Sequence, residues 1–252
     1  MQKIYNVYNN LGYWFLFLLA VLIPLGFYKS YFSILLQPKP SIIHVHFTFM
    51  SLWIVTLIVQ PFLIKYKKFA AHRMIGKISY VLVPCLLIAA WFMLRYSYYH
   101  FLENLRATNP SLTNDQMLQQ AAGYEAIAII YIAWLASFYL LGIINRKNTA
   151  IHSRFMLAAG LTMVGPAVDR IFGYVVGIDK FPGNIPIETG SFLIVDVILI
   201  LLLIRDYRRD KPTGTLWFCL IVYLIGETLE LTIQNSPIWK NIVTFLMQPV
   251  PA

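Results

Sequence analysis

Seven stretches of the chain are apolar almost without interruption and long enough to cross a bilayer at about 20 residues per crossing. They run over about 11–28, 42–64, 74–96, 121–144, 151–177, 188–205 and 214–235. Runs such as IVDVILILLLI, apolar but for Asp196, and WLASFYLLGII do not alternate, which excludes a barrel built from short alternating segments. A segment in lipid has to satisfy its own backbone, so each stretch is expected to be a helix. The reading is an all-α integral membrane bundle of seven transmembrane helices, one domain over residues 1–252.

The polar stretches between the spans carry the basic residues. Thirteen fall on one side: Lys3, Lys65, Lys67, Lys68, Arg73, Lys77, Arg146, Lys147, Arg154, Arg205, Arg208, Arg209 and Lys211. Six fall on the other: Lys29, Lys39, Arg95, Arg106, Lys180 and Lys240. The positive-inside rule then places the N-terminus in the cytoplasm and the C-terminus outside. The N-terminal run lacks a basic head and a small-residue cleavage site, so it reads as a retained first helix. The longest connection, about 97–120, falls outside. Its NPSLTNDQM has the chemistry of a helix cap, which predicts a short surface helix there.

Composition agrees. Hydrophobic residues are 59% of the chain, charged residues 12%, and the mean hydropathy is +0.65. Soluble domains average about 45–50% apolar and 25% charged. The net charge of +9 would point to nucleic acid in a soluble protein. Here topology accounts for it, and no nucleic-acid partner is expected; the partner is membrane lipid. Cys85 and Cys219 both lie in apolar stretches, which leaves no disulfide framework and no CxxC metal site.

Ionisable residues inside spans are costly and mark candidate sites. They fall in two layers. The outer layer holds His44 and His46 on span 2, Glu125 on span 4, Asp169 and Arg170 on span 5, Asp196 on span 6, and Glu227 and Glu230 on span 7. Glu227 and Glu230 share a helix face with Tyr223 and Gln234. His44 and His46 lie about 200° apart on a helix and cannot chelate one ion together. The inner layer holds Gln60, His72 with Arg73, and His152 with Arg154, at one cytoplasmic depth.

Three readings compete, and the first, a membrane redox protein that carries a b-type haem and transfers electrons within or across the bilayer, leads. Transmembrane b-type haem takes two histidines from different helices, with nearby arginines for the propionates. His72 and His152 are the expected ligands, His46 a substitute, and Arg73 and Arg154 the propionate partners. The second reading is a non-haem protein whose outer cavity binds a metal, a proton or a small cation, as hydrolase, transporter or receptor. There His46 or His44, Asp169, Asp196, Glu227 and Glu230 would bind, with zinc as one divalent candidate. The third is a structural subunit, in which these groups pair across the bundle.

The series HVHFTFMSLW, VQPFLI, HRMIGKISYVLVP and IHSRFMLAAG resembles a group of uncharacterised multi-pass bacterial membrane proteins with a b-type-cytochrome-like or ferric-reductase-like histidine pattern. The resemblance covers about residues 40–175. It maps His46, His72 and His152 onto the group's histidines, and Gln60, Arg73, Gly76, Tyr80, Arg154 and Met156 onto accompanying positions. It implies one haem b or none, a membrane redox activity, a membrane or cytoplasmic electron donor, and a prokaryotic inner membrane. It supplies no substrate. Two complete bis-histidine sites are not expected, because His44 and His46 sit two residues apart on one helix.

Overall fold

The computed structural model describes residues 18–248. Among the described residues the fold is all-α apart from one hairpin of two-residue strands. α1 is Leu18–Phe27 and α2 Ser41–Lys65; α3 is Phe69–Thr108, α4 Asn114–Tyr124 and α5 Ala126–Ile144. α6 is Thr149–Leu161 and α7 Val164–Arg170, which runs into a π turn over Ile171–Val176. After the hairpin of β1, Lys180–Phe181, and β2, Ile185–Pro186, come α8, Glu188–Tyr207, α9, Gly214–Ile233, and α10, Pro237–Met247.

Among the described residues five helical stretches are long and apolar enough to cross a membrane. They are α2, α3, α4–α5 together, α6–α7 with its π turn, and α9. This is the pattern of an integral membrane protein. The expected first span, 11–28, is described only as α1, and its residues 11–17 lie outside the described residues. The expected sixth span forms as the 20-residue α8, but Glu188, Asp196, Arg205 and Asp206 make it more charged than the other five.

Several expected boundaries are corrected. α3 does not stop near 96. Its 40 residues span about 60 Å, twice the hydrocarbon thickness of about 30 Å. Leu94, Tyr98, Leu102 and Leu105 recur every three or four residues along the extra turns, an amphipathic stripe rather than a lipid-facing cylinder. That stripe packs on Met117 and Ala121 of α4 and on Val243 and Met247 of α10, a second core distinct from the main one. Arg95 donates to the carbonyls of Leu246 and Gln248 (3.3 and 3.1 Å), and the Tyr99 hydroxyl donates to that of Met247.

The helix expected at NPSLTNDQM is α4. It opens with a capping box: the Gln116 amide donates to Thr113 Oγ1 (3.3 Å) while the Thr113 amide donates to Gln116 Oε1 (2.9 Å). The expected fourth span is broken at Glu125, and the fifth at Thr162–Met163. At the second break Pro166 has no N–H to give, and its ring crowds the carbonyl four residues back.

The main core lies between α2, α3, α5, α6, α8 and α9, around Trp53, Leu86, Phe138, Leu161, Leu199 and Tyr223. Small residues bring the helices close, the usual device where lipid supplies no hydrophobic drive. A Cβ on Gly26 would stand 2.4 Å from the Ala167 carbonyl oxygen, so α1 touches α7 backbone to backbone.

Candidate functional site

α5, α7, α8 and α9 enclose a group of carboxyls towards the end of the bundle where α8 begins. Asp169 closes α7. The Tyr131 hydroxyl on α5 donates to its Oδ2 at 3.2 Å. Gly165, one turn before Asp169, makes this reach available: a Cβ there would lie 2.0 Å from the Tyr131 oxygen. The Ser191 hydroxyl on α8 is within hydrogen-bond reach of the Asp169 carboxyl and of the Glu188 carbonyl, the latter at 2.8 Å. Asp169 Oδ1 is buried and accepts no hydrogen bond.

Glu230 on α9 is 1% exposed. The Gln234 amide donates to its Oε1, and its Oε2 accepts nothing. Gln234 is itself held, since Gln119 on α4 donates to its carbonyl at 2.8 Å. The charges of Glu188 and Asp169 both act on Glu230. One turn away on the same helix, Glu227 is 7% exposed and its Oε1 is unpartnered. Its carboxyl lies within hydrogen-bond reach of that of Asp196 on α8, whose Oδ1 is equally unpartnered. The outer acids of α7, α8 and α9 are thus brought together. Glu125 lies apart from them, 2% exposed at the α4–α5 break, facing Ser97.

The histidines of α2 have different neighbours. His44 Nδ1 pairs with the Tyr31 hydroxyl at 3.0 Å. His46 faces Arg170, and its Nδ1 is buried without a partner. Arg170 donates to the Pro166 carbonyl at 2.8 Å and stacks over the Phe27 ring at 4.5 Å. Among the described residues no three His, Cys, Asp or Glu side chains come together so as to hold a metal ion.

At the other end, His72 and His152 lie within electrostatic reach of each other. His152 Nδ1 is 2.7 Å from the Gly142 carbonyl. A carbonyl only accepts, so Nδ1–H of His152 is the donor in this contact. His72 Nδ1 is buried without a partner, and the Gln60 amide donates to the His72 carbonyl at 3.2 Å. Arg73 is exposed.

Arg154, expected beside a propionate, is engaged elsewhere. Its Nη2 and Nε donate to Asp206 Oδ2 at 2.7 and 3.2 Å, with both side chains 2% exposed. Its Nη1 donates to the Ala150 carbonyl at 3.1 Å. Asp206 was not expected as a partner, because the basic run Arg205–Lys211 reads as a polar connection. Its acidity within that run is shared with Asp210 and does not single it out. Tyr131 and Ser191 were also missed. An isolated tyrosine or serine in an apolar span has no pattern that separates it from packing.

No family model, curated protein or solved structure matches the chain.

Proposed function

We propose that the protein is a seven-span membrane protein, N-terminus in the cytoplasm and C-terminus outside, whose interior acid layer takes up a proton or a small cation. Its class is transporter or ion-responsive receptor. The observation that carries this reading is the set of acceptor oxygens buried without donors on Asp169, Asp196, Glu227 and Glu230. An unsatisfied buried polar group costs about 1–3 kcal/mol, and more when charged. Four on three adjoining helices persist most simply if a bound positive species satisfies them in turn. The lack of any three-residue metal group among the described residues favours a proton or monovalent cation over zinc.

The test is an acid pulse applied to proteoliposomes with entrapped pyranine. Wild-type protein is expected to acidify the lumen several times faster than protein-free vesicles, and the Asp169→Asn/Glu230→Gln variant to fall to the empty-vesicle rate. Equal rates for wild-type and empty vesicles overturn a proton transporter. A parallel uptake assay with labelled sodium distinguishes the cation.

One observation favours a second reading, a redox protein with haem b held by His72 and His152 and fed by a membrane or cytoplasmic electron donor. A ligand histidine typically fixes its ring by donating Nδ1–H to a backbone carbonyl, as His152 does to Gly142. Arg73 is free to meet a propionate, whereas Arg154 is committed to Asp206. Protein expressed with ample haem should then show a Soret band, reduced α and β bands and about one iron per chain. His152→Ala should lose all three. A colourless wild type ends this reading.

A further inference from the structure

α8 and α9 run antiparallel, and the polar residues of their seam fall at defined depths. At about 1.5 Å per residue, Asp196 lies about 12 Å along α8 from Glu188 and about 15 Å from Asp206. It therefore sits near the middle of the helix. Glu227 meets it there from α9. Both groups are ordinarily acceptors only. Glu227 is more than nine-tenths buried, and neither Glu227 Oε1 nor Asp196 Oδ1 has a donor. Two carboxyls in contact, each with a buried oxygen that has no donor, are held together by a proton between them; two bare carboxylates would repel.

We propose that Asp196 and Glu227 jointly form an intramembrane proton-binding site, holding one proton between their carboxyls. The proposal rests on reading the acid layer as ion-binding, and it names the ion and its resting place. A metal or alkali cation needs more oxygens than this pair offers, and no third ligating acid joins it among the described residues.

The groups around the pair fit a proton that comes and goes. From α9, Glu230 is the next acid towards the Glu188 end, and Tyr223 faces Glu227. The Tyr223 hydroxyl donates to the Ala158 carbonyl at 2.7 Å, so it does not neutralise the pair. From α7 and the start of α8, Asp169 and Glu188 act on Glu230. The Tyr131 hydroxyl of α5 is given to Asp169. Arg170 faces Asp169 and His46 instead of the pair. Glu188, Asp169 and Glu230 thus lie on the side of the pair where α8 begins.

Dicyclohexylcarbodiimide tests this in the intact protein, because it adds to protonated carboxyls in apolar surroundings and leaves hydrated carboxylates alone. Mass spectrometry of the labelled wild type is expected to place the adduct on Glu227 or Asp196. In Asp196→Asn the new amide donates to Glu227 and stabilises its carboxylate, so labelling of Glu227 should fall about tenfold. Glu227→Gln should do the same for Asp196. Both changes nearly conserve volume, and unchanged gel-filtration profiles certify the fold. Labelling confined to Glu230 or Asp169, or labelling of Glu227 unaltered by Asp196→Asn, overturns the proposal. The pyranine assay separates the two levels. Flux that survives Asp196→Asn and Glu227→Gln but vanishes in Asp169→Asn/Glu230→Gln refutes the shared site and keeps the layer's function. Wild-type flux equal to that of empty vesicles refutes the transport function, while the labelling pattern still decides the site.

Discussion

Arg154→Met is expected to destabilise the protein by about 3–5 kcal/mol, the usual cost of stripping one partner from a buried ion pair. The substitution leaves the Asp206 carboxylate at 2% exposure without its guanidinium. The pair is not interchangeable with a lysine pair. Arg154 puts two N–H groups on one carboxylate oxygen and a third on the Ala150 carbonyl, a fork that a point ammonium does not reproduce. The double variant Arg154→Met/Asp206→Leu removes both charges and is expected to return to within about 1 kcal/mol of wild type, since a buried ion pair often trades evenly for apolar packing. Unfolding of the detergent-solubilised protein, followed by circular dichroism, measures all three. A double variant no more stable than Arg154→Met would mean that contacts of Arg154 outside the pair carry its effect. The pair ties α6 to α8 at the end remote from the acid layer, so acid-layer labelling in the double variant should match wild type.

Helix content and most helix positions were legible because lipid imposes a simple rule, a long apolar run per crossing. The departures come where that rule stops applying. The turns of α3 beyond Leu94 leave the apolar regime and are held by a stripe of four residues against α4 and α10. A window tuned to apolar runs ends the helix there. α10 was not expected at all. Its signals are Pro237 in the first turn and Trp239, Val243 and Met247 four residues apart, a pattern that has meaning only once a groove exists to receive it. The break at Glu125 is likewise tertiary. Gly123 lets α4 approach the Gln234 carbonyl, with 3.0 Å left for a Cβ, and the chain turns from there into α5.

The candidate site was legible in its acids and not in their pairing. A carboxylate in an apolar run stands out from composition alone, and the i,i+3 spacing of Glu227 and Glu230 puts them on one face. Which acid meets which depends on the register of α8 against α9, and no local pattern encodes that register. The same limit hid Asp206 from Arg154, 52 residues apart, and Tyr131 from Asp169, 38 apart.

Trp134→Ala is expected to cost about 3–5 kcal/mol, the range for emptying a large buried aromatic site. Trp134 is 4% exposed, packs against Tyr223 and Phe192, and donates from Nε1 to the Val222 carbonyl at 3.1 Å. It fits only because residue 226 is glycine: a Cβ there would stand 2.4–2.7 Å from three atoms of the indole. Gly226→Leu should therefore destabilise the wild type by about 1–3 kcal/mol through overpacking. On the Trp134→Ala background the same leucine enters the space the indole left, and its effect should change sign to stabilising. Such a reversal is a coupling that two independent sites cannot show. It matters for the acid layer because Gly226 precedes Glu227 on α9. The indole seats α9 against α5 through the Val222 carbonyl, five residues before Glu227. Restored stability in Trp134→Ala/Gly226→Leu, together with carbodiimide labelling of Glu227, is the result expected if packing alone holds that register. Two destabilising effects that simply add would show that the ring and the glycine do not share one space, and would remove Trp134 as the element that seats α9 against α5.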